Sequence, residues 1–217
     1  MLLKLRRRKL WKSRDETYVQ TSYGTFAVPE EIVSALLRLF SEDIEKTYGG
    51  LNVKGKVVAD VRAYLGETSV FFARRGAKKV IAYEPMFWHY LTRNIELNNL
   101  ADVIEVRRYG VWFKDEVVNA ELDAVGAGMR YGPVEVDFKQ ADFWDVADVV
   151  KMDCGGCEWL LVAQDCKTLR SIEEYVVKIY GPDAFIMNKL LKCGFSAHFI
   201  DSVAPFVSVW RFRRRSL

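Results

Sequence analysis

Two carboxylates, Asp60 and Glu84, each stand at the end of an apolar run, Val57-Val58-Ala59-Asp60 and Lys79-Val80-Ile81-Ala82-Tyr83-Glu84. Gly66 follows the first run and opens a segment, Glu67 to Arg74, that reads as a helix. A buried strand, a tight turn at glycine and a helix offering free N–H groups and a positive dipole end make the first βα unit of a nucleotide-binding sheet. The carboxylate at the strand end can meet the polar groups of a cofactor. The second acid comes about 20 residues beyond the first turn, the interval at which such sheets hold a ribose by its two hydroxyls.

A second cluster follows from Val149-Val150-Lys151-Met152-Asp153, another buried strand, which delivers Lys151, Asp153 and then Glu158 to the same carboxyl edge. Asp153 can act as a base or orient one, and Lys151 can steer charge. A structural role is equally open for all three, since a strand-end aspartate often caps the next helix and Glu158 in its first turn complements the dipole. Cys154-Gly155-Gly156-Cys157 has the C-x-x-C spacing, but a four-ligand zinc site needs two more ligands, and Cys166 and Cys193 lack a matching pair spacing. A thioredoxin-like dithiol role is equally disfavoured. With two histidines in the chain, a histidine-based site is disfavoured, and His89 reads as a surface or rim residue.

The stretches Gly76–Pro85 (GAKKVIAYEP), Asn94–Leu100 (NIELNNL) and Lys151–Glu158 (KMDCGGCE), in that order, resemble the class I S-adenosylmethionine-dependent methyltransferases, and within them the FkbM-like family, especially its archaeal members. The resemblance implies an α/β, Rossmann-like fold: a seven-stranded, mostly parallel sheet with helices on both faces and a C-terminal antiparallel hairpin. It implies S-adenosylmethionine as cofactor, with Glu84 on the ribose, Asp60 and Gly66 shaping the methionine pocket, and Arg62 and Tyr64 in the turn against it. It further implies O-methyl transfer to a sugar, a glycan or another small hydroxyl acceptor, with Asp153 near that acceptor beside Lys151 and Glu158, and a packing role for the two cysteines. Three positions depart from the family pattern. Arg62 replaces the first glycine of the turn, Gly155 stands where the family has glutamate, and Val177-Lys178-Ile179-Tyr180 replaces a Glu-x-His. An arginine in that turn points into cofactor space. The departures therefore leave a second reading open: a protein that kept the scaffold, lost the cofactor and serves as a binding or scaffolding subunit.

The elements that must position these residues fit one domain, since 217 residues with 50% apolar content bury a sizeable core. Residues 1–50 read as a basic N-terminal tail and helical cap, with a β-hairpin or cap over Asp15–Phe26 and a helix from Glu30 to about Glu45 behind Pro29. Residues 51–217 read as the Rossmann-like body, with helices over Met86–Asn98 and Ala184–Lys192, strands over Val103–Arg107 and Glu174–Tyr180, and a closing hairpin of Phe195–Ile200 and Phe206–Phe212. About 110–147 reads as an irregular insert, although Val134–Phe138 alternates as a strand should.

The net charge is +3, but Lys4, Arg6, Arg7, Arg8, Lys9, Lys12 and Arg14 crowd one end and Arg211, Arg213, Arg214 and Arg215 the other, around an acidic body. Such termini either hold nucleic acid or an anionic surface or are merely solvated. No run approaches the roughly 20 apolar residues of a membrane span, and the N-terminus has no apolar signal core. Four loosely spaced cysteines do not make a disulfide framework, which fits a reducing, cytoplasmic compartment.

Overall fold

The structure, a computed structural model, describes residues 9–13, 16–29, 43–122 and 129–216. Most of the helix expected over Glu30–Glu45 lies outside them. The described chain begins with β1 (Lys9–Ser13), β2 (Glu16–Gln20) and β3 (Thr25–Val28), which form an antiparallel sheet in that order. Two cations of the expected basic tail are therefore in a strand, with Lys9 opposite Gln20 and Lys12 opposite Thr17. A short helix, α1 (Ile44–Tyr48), follows, its N-terminus capped by Asp43, which accepts from Lys46 N at 3.1 Å.

The body then runs β4 (Val57–Val61), α2 (Glu67–Arg74), β5 (Lys79–Tyr83), α3 (Trp88–Leu97) and β6 (Ile104–Arg107). Next come β7 (Gly110–Trp112), β8 (Glu116–Leu122), β9 (Met129–Tyr131) and β10 (Val134–Gln140). After a 3-10 turn at Phe143–Asp145 the chain continues through β11 (Val149–Met152), α4 (Leu160–Ala163), α5 (Cys166–Leu169), β12 (Glu174–Tyr180), α6 (Ala184–Lys192), β13 (Phe195–Ala204) and β14 (Val207–Arg214).

The central sheet has seven strands in the order β13-β14-β12-β11-β4-β5-β6. The strands from β12 to β6 are parallel, and β14 is antiparallel to both its neighbours. This is the sheet expected from the sequence. Its strands read as continuous apolar runs because both faces are covered. Val58, Val80, Leu65, Phe71, Phe72 and Leu91 pack on one side, and Ala59, Ile81, Val150, Met152, Tyr175 and Phe212 on the other. The chain winds outward from β4 in both directions, so the carboxyl ends of β4, β5 and β11 meet at the topological switch point, where such sheets bind ligands.

Three readings are corrected. The insert expected to be irregular is a second sheet, in the order β7-β10-β8-β9, with β7 parallel to β10 and the other pairs antiparallel. Its apolar residues are split between faces, Val136 being 1% exposed and Val117 60%, so no continuous run marks it. Three of the four C-terminal cations, Arg211, Arg213 and Arg214, are in β14 rather than in a loose tail: Arg213 Nη2 bonds Glu174 Oε1 at 3.0 Å and Arg211 Nη1 the Gly50 carbonyl at 2.9 Å. All four cysteines are paired, Cys154 with Cys157 and Cys166 with Cys193. The second pair is 27 residues apart in sequence, but the start of α5 meets the end of α6 and brings the two Cα atoms to 5.0 Å. Linear spacing does not show that approach, and with both bonds formed the cysteines give no ground for a reducing compartment. Among the described residues no helix is long and apolar enough to cross a membrane.

Candidate functional site

The turn after β4 is held from all sides. Lys151, on the neighbouring strand directly opposite Asp60, forms an ion pair with it, Nζ lying 2.9 Å from Asp60 Oδ1, and donates to the Arg62 carbonyl at 2.9 Å. Thr68 and Ser69, in the first turns of α2, each donate a hydroxyl to Asp60 Oδ2 at 2.6 Å. Asp60 and Lys151 are almost wholly buried, so both stand behind the turn and fasten β4, β11 and α2 together. Gly66 has φ +92°, and a Cβ there would sit 2.7 Å from Leu91 Cδ1. It supplies a left-handed backbone and a close approach of α3. Arg62 and Tyr64 also have positive φ, 61° and 55°, which costs a non-glycine residue on the order of 1–3 kcal/mol and persists where the surroundings enforce it.

Glu84, one residue beyond β5, anchors that turn. Its Oε2 accepts from Tyr64 N at 2.9 Å, and its Oε1 accepts from Met86 N at 2.9 Å and Phe87 N at 3.0 Å. Burial raises its pKa, while the backbone donors and Arg62 pull it down. A carboxylate offers about four lone-pair sites. Three are used here, which leaves one on Oε2.

Asp153, just past β11, is gripped rather than free. Lys178 Nζ lies 3.1 Å from Oδ2, and Tyr180 donates its hydroxyl to Oδ1 at 2.7 Å. Burial opposes its ionisation, but Lys178, Lys151, Arg62 and the Tyr180 bond hold its pKa far below the usual carboxylate range. Arg62 Nη1 in turn lies 3.3 Å from the Asp153 carbonyl. Two of the positions that depart from the family pattern, Arg62 and Lys178, thus converge on one residue, Arg62 at its backbone carbonyl and Lys178 at its carboxylate. Glu158 is fully buried, accepting from Gly156 N at 2.6 Å and Tyr180 N at 3.1 Å. It braces the Cys154–Cys157 loop, and burial raises its pKa.

A cavity of about 300 Å³ opens at this edge. It is lined by Arg62, Tyr64, Tyr83 and Glu84, by Met86 and Phe87 just before α3, and by Cys154 to Cys157. The second sheet closes it with Val111, Trp112, Glu116, Val118 and Phe138. The size is at the lower end for a cofactor or small-molecule pocket, and the mostly apolar, aromatic lining with few polar groups is typical of one. Of the candidate catalytic and cofactor residues expected from the sequence, Arg62, Tyr64 and Glu84 line the cavity, and so does the Cys154-Gly155-Gly156-Cys157 loop. Asp60, Gly66, Lys151, Asp153 and Glu158 lie behind its wall, and His89 is exposed.

Sequence reasoning missed Glu116, Phe138, Tyr83 and Tyr180. Tyr83 and Tyr109 donate their hydroxyls to Asp142 at 2.8 and 2.9 Å. Burial and that bond push Tyr109 up to about 12. The alternation of Lys178 and Tyr180 at the end of β12 was a legible sign that both face one side. Glu116 and Phe138 needed the second sheet to be known first.

Set against known proteins, the chain matches no family model. Over 102 residues it is 31% identical to protein arginine N-methyltransferase 6 of Danio rerio, a stretch that covers 46% of this chain and 29% of that one. Among solved structures it is similar to the methyltransferase FkbM from Methylobacillus flagellatus, with TM-score 0.57 and 15% identity over 85% of this chain and 55% of that one. It is also similar to Methanocaldococcus jannaschii Trm5 in complex with adenosine, with TM-score 0.53 and 16% identity over 95% and 57%. The fold is that of the Rossmann-like class I methyltransferases. The chain spans just over half the length of these two structures and less than a third of the arginine methyltransferase.

Proposed function

We propose that the chain is an S-adenosylmethionine-dependent methyltransferase that takes its cofactor in the cavity at the ends of β4 and β5. The observation that carries this reading is Glu84. A buried carboxylate fixed by three backbone N–H groups, with one lone pair left toward a cavity at the switch point, fits a ribose hydroxyl. The aromatic wall of Trp112 and Phe138 fits a planar base, and the Arg62 guanidinium fits a carboxylate. When bound, the cofactor supplies an electrophilic methyl group.

The rest is positioning and proton handling by the chain's own residues. Asp153, so strongly stabilised as a carboxylate, is a weak base and serves to orient Lys178, Tyr180 and Arg62. Glu116 is the other carboxylate on the cavity wall. It is 28% exposed and paired only loosely with Lys114 at 3.3 Å, so its carboxylate oxygen is the one placed to accept an acceptor's proton. The acceptor is a hydroxyl on a sugar, glycan or other small molecule, in line with the resemblance to the FkbM-like family.

Arg62 favours a second reading. A half-buried arginine on the cavity wall, where a glycine would leave the backbone open, fits a binding or scaffolding protein that no longer takes the cofactor and whose N-terminal cations meet nucleic acid. Calorimetric titration with S-adenosylmethionine and S-adenosylhomocysteine separates the two. Micromolar binding by the wild type, weakened at least tenfold by Glu84→Ala, supports the enzyme. Binding by Arg62→Gly alone transfers support to the second reading, and no binding by either protein removes the first.

A further inference from the structure

The Cys154–Cys157 disulfide sits directly after β11, and all four residues of its loop line the cavity. Gly155 and Gly156 have φ of 63° and 145°, values that side-chain-bearing residues rarely adopt, so the loop closes because both are glycine. The two sulfurs are unequal. Cys154 is half-buried on the cavity wall, whereas Cys157 is 4% exposed and packed with Leu160, Leu161 and Ile179. Cys154 Sγ lies 3.6 Å from Glu158 Oε2, and the bonds from Gly156 N and Tyr180 N fix that carboxyl against the sulfur. The other disulfide, Cys166–Cys193, ties α5 to α6 and does not line the cavity.

We propose that Cys154–Cys157 is a thiol–disulfide exchange centre facing the cavity, with a small dithiol as reductant and Glu158 as proton donor. One thiolate of the dithiol attacks Cys154 Sγ. The Cys154–Cys157 bond breaks, its electron pair leaves on Cys157 Sγ, and a mixed disulfide forms at Cys154. The second thiolate then attacks the dithiol's own sulfur in that mixed disulfide. The bond to Cys154 breaks, and Cys154 leaves as a thiolate that takes the Glu158 proton. The dithiol departs as a cyclic disulfide, having passed two electrons to the protein. The two protons it loses balance those gained by the cysteines, Glu158 being reprotonated from solvent. Burial favours the protonated form of Glu158, and the neighbouring Asp153 charge adds to this, while the backbone N–H bonds oppose it. The titratable and charged groups facing it are Asp153 and Tyr180, with Lys178 held on Asp153.

The test is reduction of the oxidised full chain by dithiothreitol, quenched with an alkylating agent and read peptide by peptide by mass spectrometry. The proposal expects Cys154–Cys157 to open at least tenfold faster than Cys166–Cys193 in the same sample. It expects glutathione disulfide to leave one glutathionyl group on the free Cys154 thiol of a Cys157→Ser variant, with release of one glutathione. It also expects Glu158→Gln to slow release of Cys154 about tenfold and to flatten its pH profile, with circular dichroism confirming the fold. Equal or slower opening of Cys154–Cys157 in the wild type overturns the exchange centre, and an unchanged pH profile in Glu158→Gln overturns the proton donor. Neither readout requires S-adenosylmethionine, so the proposal stands or falls apart from the function proposed above.

Discussion

Replacing Lys151 with methionine removes the ammonium and keeps most of the apolar stem. In the wild type that ammonium is the cation on Asp60 Oδ1, at 2.9 Å, and it also bonds the Arg62 carbonyl at 2.9 Å. The variant leaves Asp60 with only the Thr68 and Ser69 hydroxyls on Oδ2, at a position that solvent does not reach. Breaking one partner out of a buried ion pair costs about 3–5 kcal/mol, because the remaining charge stays desolvated. For a chain of this size each kcal/mol moves the midpoint by roughly 2–4 °C, so the thermal transition should fall by about 6–20 °C. Urea unfolding followed by circular dichroism gives the free energy directly. The Asp60→Asn, Lys151→Met double variant should recover at least about half of the loss, since the orphaned charge is gone. A loss below about 1 kcal/mol in Lys151→Met would refute the reasoning, because it would mean that Asp60 has solvent or another cation to turn to.

Other consequences follow from the same geometry. Gly66→Ala places a Cβ 2.7 Å from Leu91 Cδ1 at φ +92° and should cost about 1–3 kcal/mol in urea unfolding. Asn94→Ala removes an acceptor for Ala27 N at 2.7 Å and donors to the Ala27 and Leu65 carbonyls at 3.1 and 2.8 Å. It should cost about 2–4 kcal/mol and speed hydrogen exchange at Ala27 before that at Val58. Asp153 has a folded pKa held below its ordinary 3.8, so its contribution is present above that value and is lost as pH falls below it. The Asp153→Asn variant should therefore lose less stability than the wild type between pH 4 and pH 2 in acid titration.

The body of the sheet was legible because strands buried on both faces carry their apolar residues in unbroken runs. The helix read over Glu67–Arg74 and the strand read over Glu174–Tyr180 have those limits in the structure. The glycine at the first turn and the acid after β5 were also legible, since their types and interval are set by local backbone geometry. What each acid touches was not. Asp60 and Glu84 look alike in sequence, yet one is sealed behind Lys151, Thr68 and Ser69 and the other faces a cavity, a difference made by residues on neighbouring strands and helices.

The N-terminal sheet was legible only in part: a hairpin was one reading of Asp15–Phe26, and β2 pairs with β3 there, but β1 and the support of the β3 edge were not visible. Its β3 edge finds its partner in side chains: Asn94 of α3 and Asn98 at the C-cap of that helix take the N–H and C=O groups of Ala27 and Thr25 as a strand would. Asn94 then extends to the Leu65 carbonyl, so this sheet is joined to the turn beside the cavity. The second sheet and the Cys166–Cys193 bond likewise depend on contacts between distant segments that no periodicity records.

The central claim, that the cavity at the ends of β4 and β5 takes an adenosyl cofactor through Glu84, is tested most directly by a crystal structure of the chain grown with S-adenosylhomocysteine. The account predicts the ligand in that cavity, with a ribose hydroxyl donating to Glu84 Oε2 and the Arg62 guanidinium turned toward the amino-acid carboxylate. A cavity without ligand at saturating concentration, or ligand bound with Glu84 still contacting only backbone N–H groups, would contradict it.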